Sequence, residues 1–132
     1  MIAYVDTSAA AKLLKQERAS EQMQIFANRE DVELVSTFLL ETELRRFASR
    51  AMISQAAVSN VLEGISLYRF EESDFKAAGL LPGEALRSLD ALHLQGAIAI
   101  GADCVVAYDT RLVGACTNVG LKVIQPGIDG MP

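Results

Sequence analysis

Ile2-Ala-Tyr-Val-Asp-Thr7 and Val105-Val-Ala-Tyr-Asp-Thr110 are the stretches that decide the fold. Each is a short apolar run closed by Asp-Thr. A run apolar on both sides suits a buried parallel strand, and the Asp-Thr that follows suits a turn into a helix. The chain between and around them alternates in the same way. Thr7 or Ser8 is placed to cap a helix to about Lys15, through the helix formers Ala9, Ala10, Ala11, Leu13 and Leu14. Ser20 starts a second helix, with Met23, Phe26 and Ala27 on one face. Glu33 to Ser36 reads as a strand, and Thr37 opens a third helix with the stripe Leu40, Leu44, Phe47 and Ala51. Ser54 caps a fourth helix running towards Gly64, and a strand is expected from Ile65 to Phe70. Asp74 to Gly79 reads as a short helix, and Ser88 caps a long apolar helix that stops at Gly101. Cys104 to Tyr108, Thr110 to about Asn118 and Leu121 to Ile124 complete the series as strand, helix and strand. Strands alternating with helices predict an α/β sandwich, a parallel sheet covered on both faces. One domain over residues 1–132 is expected, with a loose, turn-like tail from Pro126.

Composition narrows the class. The 132 residues are 51% hydrophobic and 22% charged with three prolines, which excludes a disordered chain, a collagen-like chain and a coiled coil. Twelve Lys+Arg against seventeen Asp+Glu give a net charge of −5, so a protein that blankets phosphates with basic residues is excluded as well. If the chain meets nucleic acid, a bound metal is the obvious source of positive charge. The greasiest stretch, Leu89 to Tyr108, is broken by Asp90, His93, Gln95, Asp103 and two glycines. A membrane helix needs about 20 nearly uncharged residues, so no membrane association is expected. Met-Ile-Ala-Tyr-Val-Asp6 lacks the basic region of a signal peptide. Cys104 and Cys116 are too few for a disulfide framework, Cys104 reads as a reduced core residue, and a single histidine without CxxC spacing argues against zinc. A cytoplasmic protein is expected.

Ligands of open parallel sheets bind beyond the carboxyl ends of the strands, at the switch in strand order. Asp6 and Asp109 lie there. Either alone reads as a helix N-cap; as a pair they read as a site, because Thr7, Ser8 or Thr110 can cap instead. Asp90 falls in a first helical turn, where the dipole favours an acid, but its neighbours Leu89, Ala91, Leu92 and Leu94 are too apolar for a routine surface carboxylate. On the third helix Glu41 and Glu43 compete. Helical geometry leans towards Glu43, nearer the apolar stripe, with a helix-edge pair to Arg46 or Arg50 as the plain alternative. His93, three residues after Asp90, is a general base or a satisfied core histidine. Arg87 and Arg111 are phosphate contacts or solvated surface arginines. The glycines form neither a dinucleotide fingerprint nor a P-loop. Carboxylates without His or Cys ligands suit a hard cation, Mg²⁺ or Mn²⁺, and such an ion beside phosphate points to phosphodiester hydrolysis.

Tyr-Val-Asp6-Thr-Ser-Ala, Glu41-Thr-Glu43-Leu-Arg-Arg, Leu89-Asp90-Ala-Leu-His-Leu and Ala-Tyr-Asp109-Thr-Arg-Leu occur in this order along nearly the whole chain. With these motifs the sequence resembles the PIN-domain ribonucleases, in particular the VapC toxins of bacterial toxin–antitoxin modules. The resemblance implies a three-layer α/β/α fold around a central parallel sheet and four catalytic acids, here Asp6, Glu43, Asp90 and Asp109. It selects Glu43 over Glu41. It also implies an Mg²⁺- or Mn²⁺-dependent endoribonuclease, usually a homodimer, that cuts RNA and is held inactive by a cognate antitoxin. From the clustering of the carboxylates, Asp6 and Asp90 are expected to hold the metal most directly, Asp109 to complete its shell and Glu43 to orient or deprotonate the attacking water. Thr7 fills the position that commonly supports the metal, and Thr7, Thr110 and Arg111 are expected at the substrate. Two rivals fit less well. A receiver-type signalling module needs an acidic pair after the first strand, where this chain has Asp6-Thr7-Ser8, and a phosphoacceptor Asp after the third, where it has Glu71-Glu72. An Asp-x-Asp phosphatase fails because position 8 is Ser. A PIN-like scaffold that binds without cutting is the remaining alternative.

Overall fold

The computed structural model of the protein describes residues 1–128. Five strands form one wholly parallel sheet: β1 (Ile2–Val5), β2 (Glu33–Thr37), β3 (Ser66–Tyr68), β4 (Cys104–Val106) and β5 (Val123–Ile124), in the order β3-β2-β1-β4-β5. β1 is central, and Ala3, Tyr4 and Val5 are fully buried. The strand order reverses there: β2 and β3 are laid down on one side, β4 and β5 on the other. The crevice between the carboxyl ends of β1 and β4 is therefore the topological switch point.

The period-2 alternation of the strands divides the core between two faces. Ala3, Val5, Cys104 and Val106 join one apolar cluster, with Ala9 and Ala10 of α1 (Thr7–Leu14), Met23 and Phe26 of α2 (Ser20–Ala27), Leu40 and Leu44 of α3 (Phe38–Ala51) and Val58 of α4 (Gln55–Glu63). Tyr4, Val35, Val105 and Ala107 join the other, with Leu94 and Ala97 of α6 (Ser88–Ile100) and Leu112 and Cys116 of α7 (Thr110–Asn118). The short α5 (Glu72–Gly79) packs against α6. The result is the three-layer α/β/α sandwich expected.

Local differences concern caps and ends. Asp6 itself caps α1, its Oδ1 accepting from the Ala9 N–H at 2.9 Å, in place of Thr7 or Ser8. Asp109 caps α7 in the same way, through the N–H groups of Arg111 and Leu112, so Thr110 is not the cap. Ser88 is the first helical residue of α6 and Arg87 stands at its cap without a side-chain bond. Asp74 lies inside α5, where it forms a capping box with Glu71. The tail expected to be loose from Pro126 is held at its start. Pro126 is buried and its carbonyl accepts from the Tyr108 hydroxyl at 2.7 Å, while the Ile128 N–H donates to Gln125. Positions 129–132 lie outside the described residues.

Gly96 sets the distance between α6 and the sheet. A Cβ there would meet Thr37 Cγ2 at 2.5 Å and the Tyr4 ring and hydroxyl at 3.1 Å. Gly114, in the middle of α7, has open space around it. Gly96→Ala is expected to destabilise the fold by about 1–3 kcal/mol through overpacking, and Gly114→Ala to stabilise it by about 0.5–1 kcal/mol through helix propensity. Urea unfolding of the two variants checks this, and equal effects would remove the close approach of α6 as the explanation.

Candidate active site

Asp6 leaves β1 at the switch point with only 4% of its surface exposed. Besides its cap bond, it accepts the Ser8 hydroxyl at 2.7 Å (Oδ1) and 2.9 Å (Oδ2). The same hydroxyl accepts the Tyr108 N–H at 2.9 Å. Ser8 thus ties the turn after β1 to the turn after β4 that carries half-buried Asp109. Burial pushes the Asp6 carboxyl up to about 6 and Asp109 adds to the rise, against the opposing pull of His93, the Ser8 hydroxyl and the Ala9 N–H.

Glu43 comes from the middle of α3 and is half-buried. Its Oε1 accepts the Thr7 hydroxyl at 2.6 Å and lies 2.6 Å from His93 Nε2. Burial alone would raise its carboxyl, but the bonds from His93 and Thr7 outweigh that and hold it below the ordinary value. The two carboxylates are thereby driven apart, Asp6 up and Glu43 down, a pattern typical of acid–base sites. Glu41, the competitor, points to the other side of α3 and pairs with Arg45, whose guanidinium also reaches Gln55 Oε1 at 3.0 Å and Ser59 Oγ at 3.2 Å. Glu43 pairs with His93, not with Arg46 or Arg50 as the helix-edge alternative has it.

Asp90 sits half-buried in the first turn of α6, with Arg111 Nε 4.0 Å from its Oδ2. Thr110 and Arg111 are exposed at the start of α7, and Arg87 is exposed just before α6. A shallow cleft of about 280 Å³ opens beside the acids, lined by Thr7, Ser8, Lys12, Phe47, Tyr108 and Asp109 among others. Asp6, Thr7, Glu43 and His93 form one continuous cluster with Asp109 at its side, and Asp90 is linked to it through Arg111. Among the described residues, no three His, Cys, Asp or Glu side chains stand close enough together to hold a metal ion by themselves. Residue-by-residue reasoning passed over Tyr4, whose hydroxyl lies 2.7 Å from His93 Nδ1, and the bridging role of Ser8. Tyr4 carries one usable signal: strand alternation puts it on the same face as Asp6.

Fold and site together define a parallel α/β protein with an acidic cluster at its switch point. The family model described as PIN domain matches residues 3–116. Ribonuclease VapC35 of Mycobacterium tuberculosis is 34% identical over 131 residues, spanning 94% of this chain and 96% of that protein. Among solved structures, Mycobacterium tuberculosis VapC20, described as a sarcin-ricin loop cleaving toxin, superposes with a TM-score of 0.74 at 16% identity, covering 94% of this chain and 99% of that one. VapBC2 from Rickettsia felis, bound to a DNA fragment from its promoter, superposes with a TM-score of 0.67 at 15% identity, covering 96% and 99%. At these identities the two structures speak to the fold. The chain belongs to the PIN-domain family, and within it to the VapC ribonucleases.

Asp6 has a folded-state pKa above its ordinary one. Its charged form therefore costs stability, nothing below about pH 4 and the full amount above about pH 6. A rise of roughly two pKa units corresponds to about 3 kcal/mol. Asn caps a helix as well as Asp does. Asp6→Asn is thus expected to raise the melting temperature of the metal-free protein at pH 8, with the gain shrinking to nothing by pH 4. Circular dichroism melts in EDTA at the two pH values check this; a variant less stable at pH 8 would show that the buried charge is compensated.

Proposed function

We propose that this chain is a divalent-metal-dependent endoribonuclease that acts as the toxin of a toxin–antitoxin pair, with Asp6, Glu43, Asp90 and Asp109 as its catalytic carboxylates. The observation that carries the assignment of the site is the buried Asp6 carboxylate beside Asp109 at the switch point, with Glu43 brought up to it by Thr7 and His93. Family membership supports the ribonuclease activity, the cognate antitoxin, a homodimer and a cytoplasmic setting. Among the described residues no helix is long and apolar enough to cross a membrane.

The donor set fits a hard cation. It is all oxygen, and in Asp6 it holds a buried charge that the protein compensates only in part, so Asp6, Asp90 and Asp109 are the residues to hold Mg²⁺ or Mn²⁺. A shell completed by water and by phosphate oxygens accords with the absence of a ready three-ligand group among the described residues. When bound, such an ion supplies positive charge at the scissile phosphate and acidifies water. The rest falls to the chain. Glu43, kept ionised and held through Oε1, presents Oε2 to orient the attacking water and take its proton. Asp109 spends Oδ1 on its cap, and Oδ2 is the atom it offers to the site. Arg111 and Thr110, exposed at the rim, are placed to meet backbone phosphates of the RNA, the arginine exchanging its contact with Asp90 for one with substrate.

A scaffold that binds RNA without cutting it is the second reading, and the lack of a three-ligand group is the observation on its side. One experiment separates the two. Purified, antitoxin-free protein is incubated with total RNA in Mg²⁺, in Mn²⁺ and in EDTA, beside Asp6→Asn and Glu43→Gln. Cutting that needs the metal and falls at least about 100-fold in both variants is expected. In parallel, Mn²⁺ is expected to raise the melting temperature of the wild-type protein at pH 8 and to leave Asp6→Asn unmoved. Stabilisation by Mn²⁺ without any cutting would favour the scaffold, and cutting that survives both substitutions would remove these residues from the site.

A further inference from the structure

We infer that His93, clamped between Tyr4 and Glu43, is the positioning residue that fixes the orientation of the Glu43 carboxylate. This rests on the reading of Glu43 as a catalytic residue. His93 is the only histidine of the chain, and it is buried with 4% of its surface exposed. A core histidine needs only that its nitrogens find partners. Here the partners are a site carboxylate, 2.6 Å from Nε2, and a buried phenol, 2.7 Å from Nδ1.

The direction of the chain of bonds follows from Tyr4. A tyrosine hydroxyl carries its proton at neutral pH and has it to donate. Its nearer partner is His93 Nδ1, with Thr37 Oγ1 farther off at 3.3 Å. A proton given to Nδ1 leaves the ring N–H on Nε2, aimed at Glu43. Thr7 donates to the same Oε1, so two donors from different elements, α1 and α6, converge on one oxygen of the carboxylate. The plane of the carboxylate is set by these bonds, which engage Oε1 and leave Oε2 outside them. Partners one step behind a site carboxylate act in this way at metal sites generally, and their removal costs about 10–100-fold in activity.

The helix is built for this contact. Gly96 lies one turn after His93 on the same face of α6 and lets the helix close onto Tyr4 and Thr37. With any larger residue at that position, His93 would be carried away from the Tyr4 hydroxyl.

Gln at position 93 can place an N–H near the position of Nε2, whereas Asn reaches only the side of Tyr4. The test compares His93→Gln, His93→Asn and Tyr4→Phe on a labelled RNA oligonucleotide that spans a site cut by the wild-type protein in total RNA. His93→Asn is expected to lower kcat by about 10–100-fold with KM changed less than about twofold, and His93→Gln to recover most of that loss. Tyr4→Phe falls between them. Melting temperatures are taken alongside, and a purely structural role would lower kcat of the Asn and Gln variants alike, in step with stability, which would overturn the inference. Glu43→Gln is the internal control. If it cuts like the wild type, the catalytic reading of Glu43 fails; if it is dead while His93→Asn is fully active, only the positioning role fails. Should the variants not fold, ¹⁵N-histidine labelling of the wild type gives a single ring to observe. A proton on Nε2 that shifts in Glu43→Gln is expected, and a ring protonated on Nδ1 alone would refute the arrangement.

Discussion

A carboxylate buried at the end of the central strand is the constraint on which the rest of this structure depends. Taking the Asp6 charge out of water is costly unless something compensates it. The protein compensates it in part, with a helix cap and a serine hydroxyl. It then works against itself by setting Asp109 nearby. The turn geometry follows from this: Ser8 is shared between the Asp6 carboxylate and the Tyr108 N–H, so the ends of β1 and β4 are locked in register where the sheet changes direction. A buried carboxylate compensated only in part costs the fold stability.

The second constraint is the meeting of two helical layers. α3 belongs to the layer on one face of the sheet and α6 to the layer on the other. Along most of their length the sheet keeps them apart. Beyond the carboxyl end of β1 there is no strand between them, and there Glu43 of α3 touches His93 of α6. Tyr4 reaches that contact from the sheet and Thr7 from the next helix. The acidic cluster is thus held by every layer of the fold at once.

The alternation of strands and helices was legible because hydrophobic period depends on neighbours a few residues apart. Asp6 and Asp109 were legible for a similar reason: two like motifs at the ends of two apolar runs repeat the same local geometry. The caps were not. Thr7 and Ser8 are good capping residues, but Glu43 and Asp6 claim their hydroxyls, and the backbone at Asp6, at φ −87° and ψ −178°, makes that residue the cap. The tail differed for the same kind of reason, since the partner that holds Pro126 is Tyr108, far along the chain.

The sequence by itself determined the parallel α/β sandwich, its short buried strands and the acids at the strand ends. These are consequences of local pattern and of the rule that ligands gather at the carboxyl ends of parallel strands. Only the tertiary structure gave the preference for Glu43 over Glu41 its physical setting, pairing one with Arg45 on the outer side of α3 and the other with Thr7 and His93 within. It alone turned a histidine among leucines into a neighbour of the site, and it alone showed that the acids do not close into a three-ligand cage among the described residues. Helical spacing says which side chains share a face; what that face meets depends on contacts across tens of residues, and those exist only once the layers have packed.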